Sequence, residues 1–185
     1  MTDHDVRIAV PRPDELRGDV SELLTLIAPP GKEPARTMAV LARQPDLLSP
    51  FLGWAAALAL NGVLSHRDHE LLALRAASNC HSEFEWVEHA EYARAAGLTE
   101  VEIASVERAV DDGAWTDAER ALLRAADELY RDHDVDDSTW AVLAEHYDAA
   151  ALVEILFVVG QYTMLSMVAN AAGIPSAGNE NGAQE

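Results

Sequence analysis

The chain has 185 residues, of which 49% are hydrophobic, enough to bury one sizeable core and too apolar for a generally disordered protein. Thirteen basic against thirty-two acidic residues leave a formal charge of −19, which makes nucleic acid and anionic membrane surfaces poor partners. A single cysteine excludes an intrachain disulfide and suits a reducing cytoplasm, and the acidic opening MTDHDVRIAV lacks the apolar stretch of a signal peptide.

Residues 1–12 have no periodicity and read as a flexible, partly extended arm. Pro13 fits the first turn of a helix in which Leu16, Val20, Leu23, Leu24 and Ile27 recur at helical spacing, and Pro29 and Pro30 end it. PPGKEP is then a rigid exposed connection, a plain surface loop or a strap over a pocket mouth. Helical patterning resumes from Ala35 to Arg43. Pro45 opens a further segment, whose helix is expected from Pro50 to Leu60 with Phe51, Trp54, Ala55 and Leu58 in an apolar stripe. Met38, Phe51 and Trp54 are candidates for lining a cavity, although aromatics so spaced are more often core.

Ser65 to Leu98 organises the chain and gathers four of the seven histidines, the cysteine and several glutamates. Ser65 with Asp68 caps a helix to about Ser78. Residues 79–81 form a turn, and Ser82 with Glu85 makes a capping box for a second helix that Gly97 terminates. If the two helices fold back antiparallel, Glu70 and His89 both lie roughly 12 to 14 Å from the closed end and can face each other. Glu85 and His89, four residues apart, share one helix face. An imidazole and two carboxylates would thus converge, the equipment for moving a proton to or from a small organic molecule. The competing readings are structural: Glu85 as a cap, His89 as a core histidine, Glu70 as a partner for Arg75 or His66.

Beyond the hairpin, Thr99 with Glu102 caps a helix to about Val110, and Thr116 with Glu119 caps one from Asp117 to about Arg131. The acidic run at 132–137 lacks the glycine and distal glutamate of an EF-hand and reads as a solvated turn. His66, His69 and Glu70 lack HExxH or CxxC spacing, so no metal is expected. A short helix follows around Trp140. Ala149 to Ala172 is apolar on nearly every side, yet Glu154, Gln161, Ser166 and Asn170 interrupt it, which favours a buried helix at the centre or at a subunit interface over a membrane span. Residues 176–185 have the composition of a disordered tail.

With no strand signal, the fold class expected is all-α, about eight helices in a single domain over 13–175. The central hairpin resembles the carboxymuconolactone decarboxylase family, which includes the alkylhydroperoxidase D-like proteins. Glu70, Leu71 and Arg75 in ELLALR carry the resemblance, with Ser82, Phe84, Glu85, Trp86 and His89 in SEFEWVEH and the AxxAGL run from Ala93 to Leu98. In the peroxidase branch a glutamate precedes a CxxC pair by twelve residues and a histidine follows it by four. Laid on this chain, that spacing falls on Glu70, on Ser82 and Glu85 in place of the two thiols, and on His89. The resemblance implies the alkylhydroperoxidase D-like helical fold and a homo-oligomer (dimer, trimer or hexamer).

The function expected is a cofactor-independent lyase or isomerase acting on a small carbonyl, lactone or carboxylate substrate. His89 would move the proton, with Glu70 or Glu85 as orienting group or partner acid. Arg75 would hold a carboxylate or enolate, and Ser82, Trp86 and Cys80 are further candidates for substrate contact. The alternatives are an alkylhydroperoxidase-type reductase, which would need a second thiol, and a non-catalytic ligand-binding oligomer.

Overall fold

The computed structural model describes residues 6–28 and 33–176, and among these the chain is all-helical, with nine α-helices, two 3-10 turns and no strand. In chain order the α-helices are α1 (Gly18–Ile27), α2 (Arg36–Leu41), α3 (Pro45–Leu60), α4 (His66–Asn79), α5 (Glu83–Ala95), α6 (Glu100–Val106), α7 (Asp117–Asp132), α8 (Asp137–His146) and α9 (Ala149–Ala172). The expected strap at 29–34 and tail at 176–185 fall largely outside the described residues.

The most enclosed helix is α4. Every residue from His69 to Ala77 is buried, and α4 packs against α5, α6, α7 and α9. Leu72, Ala73 and Ala76 face Leu122 and Ala126 of α7, Leu143 of α8, and Ile155 and Val158 of α9. On its other side Leu71 and Leu74 meet Ala90 and Ala93 of α5, Ile103 and Val106 of α6, and Leu123 of α7. Alanines at three of these positions let neighbouring backbones come close enough to cover α4 on both sides.

Helix α9, expected at the centre or at a subunit interface, flanks α4. Ile155, Val158, Val159, Tyr162 and Ala169 are buried, whereas Val153, Phe157, Met164, Met167 and Val168 are exposed. Its length and composition would span a membrane, and it is used here as a wall of the core. Glu154, one of its interruptions, turns its carboxylate to accept from the amides of Val63 (2.5 Å) and Leu64 (3.4 Å).

The hairpin turn closes by backbone chemistry. His81 takes φ 52°, and the Ser82 amide donates to the Ala77 carbonyl at 2.9 Å, a Schellman closure of α4 with histidine where glycine is usual. Gly97 (φ 93°) ends α5 in the same way, with Leu98 donating to Ala93 at 2.9 Å.

Several boundaries differ from expectation. Pro13–Glu15 form a 3-10 turn, and α1 starts only at Gly18. Helix α3 starts at Pro45 and runs through Pro50. A proline at the first position sacrifices no bond, and Leu48, fully buried against Val20, Leu24 and Ala42, anchors the first turn. Helix α6 stops at Val106, because Arg75 captures the carbonyls that end it: one guanidinium nitrogen donates to Val106 O and to Arg108 O (2.8 Å).

Arg75 also makes a bidentate pair with Asp127 of α7, both contacts at 2.6 Å, and Asn79 adds a bond to the same carboxylate at 3.0 Å. Removing one member of such an enclosed pair leaves the other charge uncompensated. Arg75→Ala is therefore expected to lower unfolding stability by about 3 to 5 kcal/mol, read as a fall in the urea midpoint without a change in slope.

Candidate functional site

Glu70 sits in the middle of α4, and His89 lies opposite it on α5. The imidazole Nδ1 and Glu70 Oε2 are 2.7 Å apart, and both side chains are buried. An ionised carboxylate only accepts, so Nδ1 carries the hydrogen and donates it, leaving the Nε2 lone pair directed away from Glu70. Nε2 lies 3.7 Å from Glu85 Oε2, beyond a direct hydrogen bond but within reach of a shared proton or a bound atom.

Ser82 caps α5 by accepting from the Glu85 amide at 3.5 Å, but Glu85 does not return the gesture. Thr99 with Glu102 and Thr116 with Glu119 make complete reciprocal boxes, whereas the Glu85 carboxyl turns inward. It is 3% exposed, and its Oε1 has no hydrogen-bond partner. Burial pushes this carboxyl up to about 7, His89 pulling it down and Glu88 adding to the rise. A carboxyl group that keeps its proton up to about pH 7 thus faces the histidine.

A third element completes the wall. Tyr162 of α9 packs edge-on against His89, ring centroids 4.3 Å apart, and its hydroxyl lies 2.8 Å from Nε2 of His69. Burial raises the Tyr162 hydroxyl and lowers His69, so the first keeps its proton and the second stays neutral. Glu70, Glu85, His89 and Tyr162 open on a cavity of about 520 Å³ roofed by Met38, Phe51, Leu58, Phe84 and Leu165.

The sequence profile of the Carboxymuconolactone decarboxylase family matches residues 45–128, the span that holds Glu70, Glu85 and His89. Over that span the chain matches the carboxymuconolactone decarboxylase family. No curated protein matches the sequence. Among solved structures, an uncharacterized peroxidase-related protein with an alkylhydroperoxidase AhpD core from Ralstonia eutropha JMP134 is similar at TM-score 0.80 and 20% identity, covering 94% of this chain and 93% of its own. An uncharacterized peroxidase-related protein from Silicibacter sp. TM1040 is similar at TM-score 0.79 and 18% identity, with 96% of this chain and 93% of that one covered. At such identities the likeness establishes the alkylhydroperoxidase D-like helical fold.

The expected site residues divide cleanly. Glu70, Glu85 and His89 converge on the cavity. The four expected substrate contacts do not line it. Arg75 is consumed by Asp127 and the end of α6; Ser82 is a buried cap; Trp86 packs on the core beside Leu71 and Leu74. Cys80 ends α4, and burial pushes its thiol up. Met38 and Phe51 line the cavity as expected, whereas Trp54 does not and donates from its indole to Gln161 at 2.9 Å.

Sequence reasoning missed Tyr162, Gln161 and Glu88 on the cavity wall, and His69 behind it. Gln161 was marked only as a polar group in an otherwise apolar helix, and Tyr162 was not singled out.

The acidity of Glu85 has a measurable consequence. Its folded value, about 7, lies above the ordinary 4.5, so the folded chain holds a proton that the unfolded chain releases between those pH values. Stability conferred by the neutral form is complete below pH 4.5 and lost as pH rises through 7. Glu85→Gln should remove that slope. It is expected to match the parent chain near pH 4 and to exceed it by about 3 kcal/mol above pH 8, measured by denaturation across the range.

Proposed function

We propose that this chain is a cofactor-independent enzyme that transfers protons on a small carbonyl or lactone compound. The observation carrying this reading is the placement of His89 between a hydrogen-bonded Glu70 and the inward-turned Glu85 on the cavity wall. Environments that separate the acidities of neighbouring groups divide them into acid and base. Glu70 fixes the imidazole tautomer, and His89 Nε2 takes a proton from the carbon next to the carbonyl. The C–H electron pair moves toward oxygen, which receives the Glu85 proton to give an enol. Return of both protons, to the same carbon or another, completes exchange or isomerisation without any oxidant.

A thiol peroxidase is the main rival, suggested by the peroxidase-related relatives. The positions of its two thiols hold Ser82 and Glu85, and the one cysteine, Cys80, lies off the cavity with a thiol pushed up by burial. These facts favour proton transfer over dithiol chemistry, and a single half-buried thiol suits a reducing cytoplasm.

The reaction is tested by following loss of α-proton signals from acetophenone and γ-butyrolactone in D2O by NMR. Exchange should be catalysed by the parent chain and by Cys80→Ser, and should fall by about 10² to 10⁴ in His89→Ala. Equal exchange in parent and His89→Ala would remove His89 from the chemistry.

The assembly we propose is a homo-oligomer that meets through the outer face of α9. A surface carrying −19 overall repels its own copies. On α9 the sole charge is Glu154, which is turned to the Val63 and Leu64 amides, while Phe157 and Met164 stay exposed. Sedimentation of the parent chain should give a multiple of 20.1 kDa, and Phe157→Glu the single-chain mass.

A further inference from the structure

We infer that the cavity takes an uncharged, mainly apolar carbonyl compound and turns away the same compound bearing a carboxylate. The inference rests on the proposed cavity being the substrate site, and it reverses the family-based expectation of a carboxylate held by Arg75.

The charge of the wall carries the argument. Glu70, Glu85 and Glu88 line the cavity together with His66 and His89, and among the described residues no arginine or lysine does. The nearby arginines are committed elsewhere. Arg75 is paired with Asp127, Arg67 with Glu102 (2.5 Å) and Glu119 (2.7 Å), and Arg36 donates to the Pro175 carbonyl at 3.0 Å. The chain's one lysine, Lys32, lies outside the described residues. A carboxylate entering this hollow would shed its water beside Glu70 and Glu88, in a protein of net charge −19, with no arginine or lysine among the described residues that line it.

A second observation points to what does fit. The Glu85 carboxyl group lines the cavity, with its Oε2 3.7 Å from His89 Nε2 and its Oε1 enclosed. As a neutral acid it has a hydrogen to donate, and a ketone or lactone oxygen is the complementary acceptor. The remaining contact surface, from Met38, Phe51, Leu58, Phe84 and Leu165, suits a ring or a short alkyl body.

Acetophenone and 4-acetylbenzoate differ only by the carboxylate and make the discriminating pair. Their dissociation constants for the full chain would be measured by ligand-observed NMR titration at pH 6, in the parent and in Glu88→Gln. The expected result is saturable binding of acetophenone, at least tenfold weaker binding of 4-acetylbenzoate, and a ratio that narrows threefold or more in Glu88→Gln. A parent ratio below ten, a ratio unmoved by the substitution, or no saturable binding of acetophenone overturns the inference. Selective binding with no catalysed α-proton exchange would leave this inference standing while sinking the proton-transfer reading. Catalysed exchange with equal affinity for both ketones would do the opposite.

Discussion

Helix α4 is rich in polar residues and yet buried along most of its length, and the structure is arranged around that conflict. A charge taken from water is tolerated only if another group replaces the solvent. Arg75 finds Asp127 and the carbonyls that terminate α6, Arg67 at the rim finds Glu102 and Glu119, His69 finds Tyr162, and Glu70 finds His89. The partners come from four other helices. The polar residues of α4 therefore fix where α5, α6, α7 and α9 must lie, in a way that apolar packing alone would leave loose.

The same rule singles out Glu85. Its side chain is as enclosed as those on α4, but one oxygen has no partner, and burial is met by a change in acidity instead of by pairing. A carboxyl group that completed the capping box with Ser82 would have accepted from the Ser82 amide. Thr99–Glu102 and Thr116–Glu119 show that alternative realised in the same chain, where Glu102 is held down to about 2, chiefly by its bond to Arg67 and by the Thr99 cap. Two glutamates with one capping signature thus end with acidities on opposite sides of the free value, and the difference is the direction in which each side chain turns.

The comparison with the peroxidase-related folds gains meaning from this position. In the pattern that the hairpin resembles, thiols occupy the places of Ser82 and Glu85. Here one place is an inert cap, and the other carries an acid aimed at the same histidine. The scaffold holds a Glu–His pair across two helices, with a carboxyl group beside it where the peroxidase pattern has a thiol.

Local sequence determined the helices and most of their ends. Ser65, Ser82, Thr99 and Thr116 each accept from the amide three residues on, and Gly97 and Gly173 occupy left-handed terminal positions, because these choices depend on neighbours within one turn. The pairing of Glu70 with His89 was also legible, since a three-residue turn leaves an antiparallel hairpin little freedom of register. What the sequence could not decide was which polar group each buried charge would meet. Arg75 looked like an anion holder until Asp127, fifty-two residues away, was seen to occupy it. Tyr162 had nothing to distinguish it in an apolar helix until α9 was laid against α4 and α5. The most apolar helix proved to be a wall and a more polar one the centre, because burial follows from how many neighbours pack around a segment, and that number exists only in the tertiary structure.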